Sequence, residues 1–168
     1  VRMGNNVTMI KDHAFYYCRS LERVIIPETV VVIEQYAFQS CRSLSEINLP
    51  AKLTEIADYT FSYCSALTQI GIPSGVTSIG KYAFNECTSL QQVTFGERLT
   101  SIGESAFSGC EVLAEVSLPD SLTDIGKSAF AYCSALRYAH LGNGLQTIGE
   151  TAFRQCTSLE HFTLSESL

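Results

Sequence analysis

No stretch of the 168 residues approaches the roughly 18 consecutive apolar positions that a membrane-spanning helix requires, so this segment does not insert into a bilayer in that way. Runs of Lys or Arg are missing too. With 11 basic against 17 acidic residues the formal net charge is -6, and a surface of that sign repels phosphate backbones, which excludes nucleic acid as the natural partner. Charged residues make up only 17% and hydrophobic ones 46%, a balance that excludes a disordered chain and requires most of it to pack. Val1-Arg2-Met3-Gly4-Asn5-Asn6 has neither the basic start nor the apolar middle of a secretion signal. No C-x-x-C pair occurs among the seven cysteines, so the spacing offers no zinc site or dithiol.

What is present is a period. Phe stands at 15, 38, 61, 84, 107, 130 and 153, a step of 23 residues each time. Cys keeps the same step from Cys18 to Cys156, Leu from Leu21 to Leu159, and Ile from Ile10 to Ile148. Seven copies follow one another without insertion or deletion, at about 4–26, 27–49, 50–72, 73–95, 96–118, 119–141 and 142–164. Repeats of this length are single structural units that bury their apolar side chains only by stacking on their neighbours.

Each copy closes with Leu-x-x-Val/Ile-x-Ile/Leu, as in Leu44-Ser45-Glu46-Ile47-Asn48-Leu49, the strand signature of leucine-rich repeats. Alternation with period 2 turns Ile47 and Leu49 inward and Glu46 and Asn48 outward. Pro27, Pro50, Pro73 or Pro119 then ends the ladder, having no N–H to give. Strands are expected near 1–3, 24–26, 47–49, 70–72, 93–95, 116–118, 139–141 and 162–164. In Ala37-Phe38-x-x-Cys41-x-x-Leu44 the apolar spacing changes to three and four, which predicts a short helical turn near 12–18 and every 23 residues after. The expected fold is an α/β solenoid: a right-handed leucine-rich-repeat superhelix with about eight short parallel strands on the concave face and helical turns on the convex face.

One column tests the stacking. Ala139 is the small residue among Val24, Ile47, Ile70, Val93 and Val116, and Phe162, one step later, is the large one, so its ring is expected to fill the space over Ala139. The first copy is preceded by residues that align with a strand and the last is followed by Leu168, which aligns with Leu145. Neither end has a polar capping sequence, so the chain reads as one domain cut from a longer array, monomeric, with end-to-end association through bare edges as its hazard.

The repeat resembles the BspA-type leucine-rich repeats. The residues carrying the resemblance are Ile72-Pro73, Val76, Ile79-Gly80, Ala83-Phe84, Cys87 and Leu90, and it extends over essentially the whole chain. Lys11, Glu34 and Ala57 replace the Gly that follows Ile, and Thr60 replaces Ala; because Ala57 would be strained at positive φ, that position needs no left-handed backbone. The resemblance implies an extracellular or cell-surface location and adhesion to proteins of a host or neighbouring cell.

Candidate sites follow from the columns. The odd count and repeat-length spacing of the cysteines point to a reduced core ladder. On the concave face one outward column runs Arg23, Glu46, Gln69, Gln92, Glu115, Tyr138, His161, and the other includes Asn48, Thr94, Ser117 and His140. These positions vary where the core columns barely do, as a recognition surface does and as unconstrained solvent-facing positions also do. The stretch from Gly71 to Ser117 is small and polar and suits hydrogen bonding to an extended partner. A secondary stripe, Tyr36, Tyr59 and Tyr82 below His13, lies on the convex side, either in contact with a partner or shielding the turn. His140, His161 and Glu115 are the sole motive for an enzyme, and no Ser or Cys is placed beside them, so no catalytic role, metal or cofactor is assigned. The leading expectation is a module that binds another protein through its concave face. The alternative is a rigid spacer presenting another domain.

Overall fold

In the computed structural model, which describes residues 1–163, each 23-residue period makes one coil, and equivalent residues of successive coils lie side by side in parallel. The main sheet is a parallel row of Arg23–Val24, Glu46–Ile47, Gln69–Gly71, Gln92–Thr94, Glu115–Ser117, Tyr138–His140 and His161–Thr163, hydrogen-bonded in three groups: the first two strands, the next two and the last three. Its register is the repeat length, as in Gln69 opposite Gln92 and Glu115 opposite Tyr138. The strands begin one residue earlier than the pattern suggested, and the expected strand at 1–3 is a single bridge from Arg2 to Ile25. Leu164, the last residue of the eighth expected strand, and Leu168 lie outside the described residues. Ladder bonds continue one residue past the strands, where Ile72 and Leu118 donate to Thr94 and His140, and then Pro73 and Pro119 stop them.

The helical turns are not there. Among the described residues there is no helix; the segments near 12–17 and their equivalents are chains of turns. The physical reason lies in two left-handed residues per coil. His13, Tyr36, Tyr59, Tyr82, Ser105, Ser128 and Thr151 have φ of 52–58°, and Tyr17, Ser40, Tyr63, Glu86, Tyr132 and Gln155 have φ of 58–61°. Each non-glycine residue held this way costs on the order of 1 kcal/mol. In return the N–H groups of His13, Phe15 and Tyr17 reach across to the carbonyls of Gln35, Ala37 and Gln39, while those of Ala14, Tyr16 and Cys18 close turns to Lys11, His13 and Phe15. The backbone on this side is therefore bonded between coils, as in a sheet, and not along a helix axis.

A second sheet, absent from the sequence expectation, joins the two sides. Its strands are two residues long: Met9–Ile10 pairs with Val32–Ile33, and Glu55–Ile56, Ser78–Ile79, Ser101–Ile102, Asp124–Ile125 and Thr147–Ile148 form a continuous five-stranded ladder. The Gly after Ile governs this ladder. Gly80, Gly103, Gly126 and Gly149 donate to the preceding coil's Ile carbonyl at 2.7–2.8 Å, none with positive φ. A Cβ on Gly126 would sit 2.6 Å from the Gly103 carbonyl carbon and 2.7 Å from the Glu104 nitrogen. At these four positions glycine serves close approach of backbones and not a left-handed φ, and Ala57 at the equivalent position likewise has no positive φ. Where Ala57 follows Glu34 the ladder is interrupted and a depression of about 440 Å³ opens beside Glu34, Glu55 and Ala57. Gly126→Val is expected to destabilise by about 1–3 kcal/mol, because backbone cannot yield as a flexible side chain would. Urea denaturation measures it, and an unchanged midpoint would mean that the coils are not held this closely.

Between the two sides runs the core. Phe38, Phe61, Phe84, Phe107 and Phe130 are fully buried, and from Phe15 to Phe153 the rings stack at 5.1–5.5 Å with interplanar angles of 2–14°. The cysteines form the adjoining column. All seven are free thiols, and from Cys41 to Cys156 each Sγ lies 3.1–3.5 Å from the carbonyl of the Phe in the coil before it. Burial pushes the thiols of Cys41 and Cys87 up to about 12, that of Cys156 to about 11, and those of Cys64, Cys110 and Cys133 upward as well. Ala139 pairs in register with Phe162, whose ring packs edge-on against Phe153 at 5.2 Å. No helix among the described residues is long and apolar enough to cross a membrane.

Candidate interaction face on the main sheet

Strands with one buried and two exposed residues deliver the varied columns to a single outer face. The eleven positions expected to bind a partner divide into three groups there. Arg23 and Glu46 are spent on each other in an exposed ion pair of 2.9 Å. Such a pair is worth about 1 kcal/mol at most. Asn48 is engaged inward: its Oδ1 accepts from the Ile26 N–H at 3.1 Å and its Nδ2 donates to the Ile26 carbonyl at 2.9 Å. The side-chain amide thus stands in for a ladder partner, which makes Asn48 a structural residue first.

In the middle, Gln69, Gln92, Thr94, Glu115 and Ser117 line two adjoining depressions. One, of about 200 Å³, lies around Gly71 between Glu46, Gln69, Gln92 and Thr94, over Ile47 and Ile70. The other, of about 420 Å³, runs from Gln92 and Thr94 to Glu115 and Ser117. Because they share Gln92 and Thr94 they adjoin as one trough across four coils, with polar side chains along it and an apolar lining from Ile47, Ile70, Val93, Phe95 and Leu118. Gly71 is needed for its depth, since a Cβ there would come within 3.3 Å of the Thr94 hydroxyl. Among the described residues no side-chain hydrogen bond or ion pair engages Gln69, Gln92, Thr94, Glu115 or Ser117.

At the far end Tyr138 and His161 stack at 5.0 Å with rings 1° from parallel, and His140 is exposed beside them. No hydroxyl or thiol hydrogen-bonds to either imidazole, and no group of three or more His, Cys, Asp or Glu side chains is arranged to hold a metal ion, among the described residues. On the turn side His13, Tyr36, Tyr59 and Tyr82 stack in sequence at 4.7–4.8 Å with interplanar angles of 9–17°. Neighbouring rings cover each other's faces, so the stripe offers edges to a partner. Partial burial, with Tyr82, Tyr36, Asp58 and Glu104 adding to it, raises the pKa of the Tyr59 phenol.

Two members of the trough escaped the column reading: Phe95, whose ring meets Phe107 edge-on at 5.8 Å, and Glu97. A signal for both existed in the sequence. Phe95-Gly96 replaces the Ile/Leu-Pro that ends the neighbouring copies, so this coil leaves the main sheet differently from its neighbours.

The comparisons with known proteins agree with this architecture. The BspA type leucine rich repeat region matches residues 1–95 and 54–168. Among solved structures, a leucine rich repeat protein of T. pallidum is 28% identical with a TM-score of 0.68, over 81% of this chain and 77% of that one. The pneumococcal vaccine antigen PcpA is 26% identical with a TM-score of 0.71, over 82% of this chain and 36% of its own length, so the present chain spans about a third of that protein. A leucine-rich repeat protein of Eubacterium ventriosum, 23% identical with a TM-score of 0.62 over 95% of this chain and 46% of that one, shares the fold. A search of curated proteins finds no match. With a matching family model across its whole length and solved structures of the same coil, the chain belongs to the BspA-type leucine-rich repeat family.

Proposed function

We propose that the main-sheet face binds an extended segment of another protein at a cell surface, with the trough from Glu46 to Ser117 as its seat. The observation that carries this reading is the set of unspent groups. Among the described residues the amides of Gln69 and Gln92 and the hydroxyls of Thr94 and Ser117 have no hydrogen-bond partner, whereas the backbones of Gln69–Gly71 and Gln92–Thr94 are paired with each other. Side chains spaced by one coil, about 4.8 Å, offer donors and acceptors in a row to a strand laid across them. Tyr138 and His161 supply a flat aromatic rim at one end of the same face, of the kind that anchors interfaces. The surface setting is supported by the family and by the likeness to a pneumococcal vaccine antigen.

The second reading, a passive spacer, is favoured by ion pairs that link one coil to the next at Arg23–Glu46, Lys127–Glu150 and Arg137–Glu160 and so tie up surface charge within the stack. Selection of displayed random 12-residue peptides on the wild-type chain separates the two. Binders are expected to lose about tenfold or more on Gln69→Ala/Gln92→Ala, as two lost hydrogen bonds imply, and to be blocked by Gly71→Tyr, which fills the trough. Binders indifferent to both variants, or no binders at all, would leave the spacer.

A further inference from the structure

On the turn side a second left-handed column runs parallel to the aromatic ladder: Tyr17, Ser40, Tyr63, Glu86, Gly109, Tyr132 and Gln155. The first column shows what aromatic residues do on this backbone, where φ of 55–58° sets rings face to face at 4.7–4.8 Å per coil. The second column has nearly the same φ, 59–61°, at Tyr17, Ser40 and Tyr63. It therefore places tyrosines on alternate rungs, about 10 Å apart over two coils, with a serine on the rung between. A slot of about 200 Å³ opens at that missing rung, walled by Tyr17 and Tyr63 and edged by Tyr16, Gln39 and Arg42 above the buried Ser40.

The three tyrosines are unusually bare, with 43–46% of each exposed. Tyr17 touches Tyr16 at 4.5 Å and carries the Arg19 guanidinium at 4.9 Å, whereas the ring of Tyr63 has no aromatic contact among the described residues. Arg42 has no carboxylate partner and the Gln39 amide no hydrogen-bond partner among the described residues. The nearest acid in the column, Glu86, is turned to the following coil, where its Oε1 would lie 2.6 Å from a Cβ placed on Gly109. In a chain of net charge -6 the unpaired guanidinium of Arg42 thus makes the slot a local positive site flanked by Tyr17 and Tyr63.

We propose that this slot binds one six-membered ring of an acidic, uronate-type glycan. A sugar ring seated midway takes the missing rung, its C–H faces against Tyr17 and Tyr63 as another ring would pack. Its carboxylate meets the planar guanidinium of Arg42, a pairing that accepts two parallel hydrogen bonds. Its hydroxyls meet the Gln39 amide. An aromatic side chain fits the rung equally well but leaves both polar groups unmatched.

Titration calorimetry with trigalacturonate, and with cellotriose as the neutral comparison, tests it on the whole chain. A single ring site should bind the acidic sugar with a Kd on the order of 1 mM. Ser40→Tyr restores the rung and Tyr63→Ala removes a wall. Each is expected to weaken binding at least about tenfold while the thermal melt, followed by circular dichroism, stays within a few degrees. Arg42→Gln should abolish the preference for the acid, and Gly71→Tyr on the opposite face should change nothing. The proposal is overturned by absent binding, by affinity that survives both Ser40→Tyr and Tyr63→Ala, by equal affinity for the neutral sugar, or by a slot that takes aromatic peptides instead.

Discussion

Phe84→Ala is expected to lower the stability of the chain by about 3–5 kcal/mol, the usual cost of emptying a buried aromatic site. The ring is fully buried and stacked on Phe61 at 5.4 Å and Phe107 at 5.1 Å, so truncation removes two aromatic contacts together with the volume. Each such contact is worth about 0.5–1.5 kcal/mol beyond the buried area. A rigid coil spacing set by hydrogen bonds on three sides prevents the neighbours from closing the gap, which places the expectation at the upper end. For a domain of this size the melting temperature should fall by roughly 10 °C. Phe15→Ala, at a partly exposed end of the column with one stacked neighbour, should cost about half as much or less. Since each coil touches only the coils beside it, weakening the middle interface also weakens the link between two halves of the stack. A urea transition for Phe84→Ala that broadens or splits, while that of Phe15→Ala only shifts, would report this. Equal losses for the two variants would contradict a column in which burial and stacking increase away from the ends.

How far such a result was foreseeable from the chain differs between its sides. The main sheet was legible because a two-residue alternation closed by proline has one reading, and the 23-residue period fixed its register. On the turn side, the three- and four-residue spacing of Phe38, Cys41 and Leu44 has two. A helix and a run of turns bonded to the next coil bury the same residues, and only the left-handed φ at Tyr36 and Ser40 separates them. Those positions hold tyrosine and serine where glycine or asparagine would have signalled the conformation. The second sheet was hidden by its brevity: two residues such as Ser78–Ile79 carry no alternation to detect. At the candidate site the outward columns were legible, since they follow from the strand pattern. Which members were free was not. That Asn48 would turn its amide to Ile26, or that Arg23 and Glu46 would pair, depends on side-chain geometry between coils rather than on position within a repeat.

The cysteine column leads to the second large effect, a steep loss of stability in alkali. Six thiols from Cys41 to Cys156 have pKa values raised by burial above the ordinary 9.0, with Cys41 and Cys87 at about 12. A thiol whose folded pKa lies above its unfolded value holds its proton more tightly in the coil than in the unfolded chain. Its stabilising contribution is therefore complete below pH 9 and is lost as the pH rises toward 12, because the unfolded state ionises first. Each such thiol adds a slope of about 1.4 kcal/mol per pH unit in that window, and several act together. Urea midpoints measured at pH 8, 9 and 10 under reducing conditions should fall progressively faster. Cys87→Ala should flatten the slope by about one proton, at some cost in stability at pH 8. The Tyr59 phenol, also raised by burial, titrates in the same direction, and Tyr59→Phe isolates its share. Thiol labelling gives an independent view at neutral pH. Cys18, exposed, should react within the dead time of a native-state experiment, Cys156 more slowly, and the five fully buried thiols only as the coils open. A slope that Cys87→Ala leaves unchanged, together with rapid labelling of Cys87 in the wild-type chain, would mean that water reaches the column and that the stack is looser than its geometry requires.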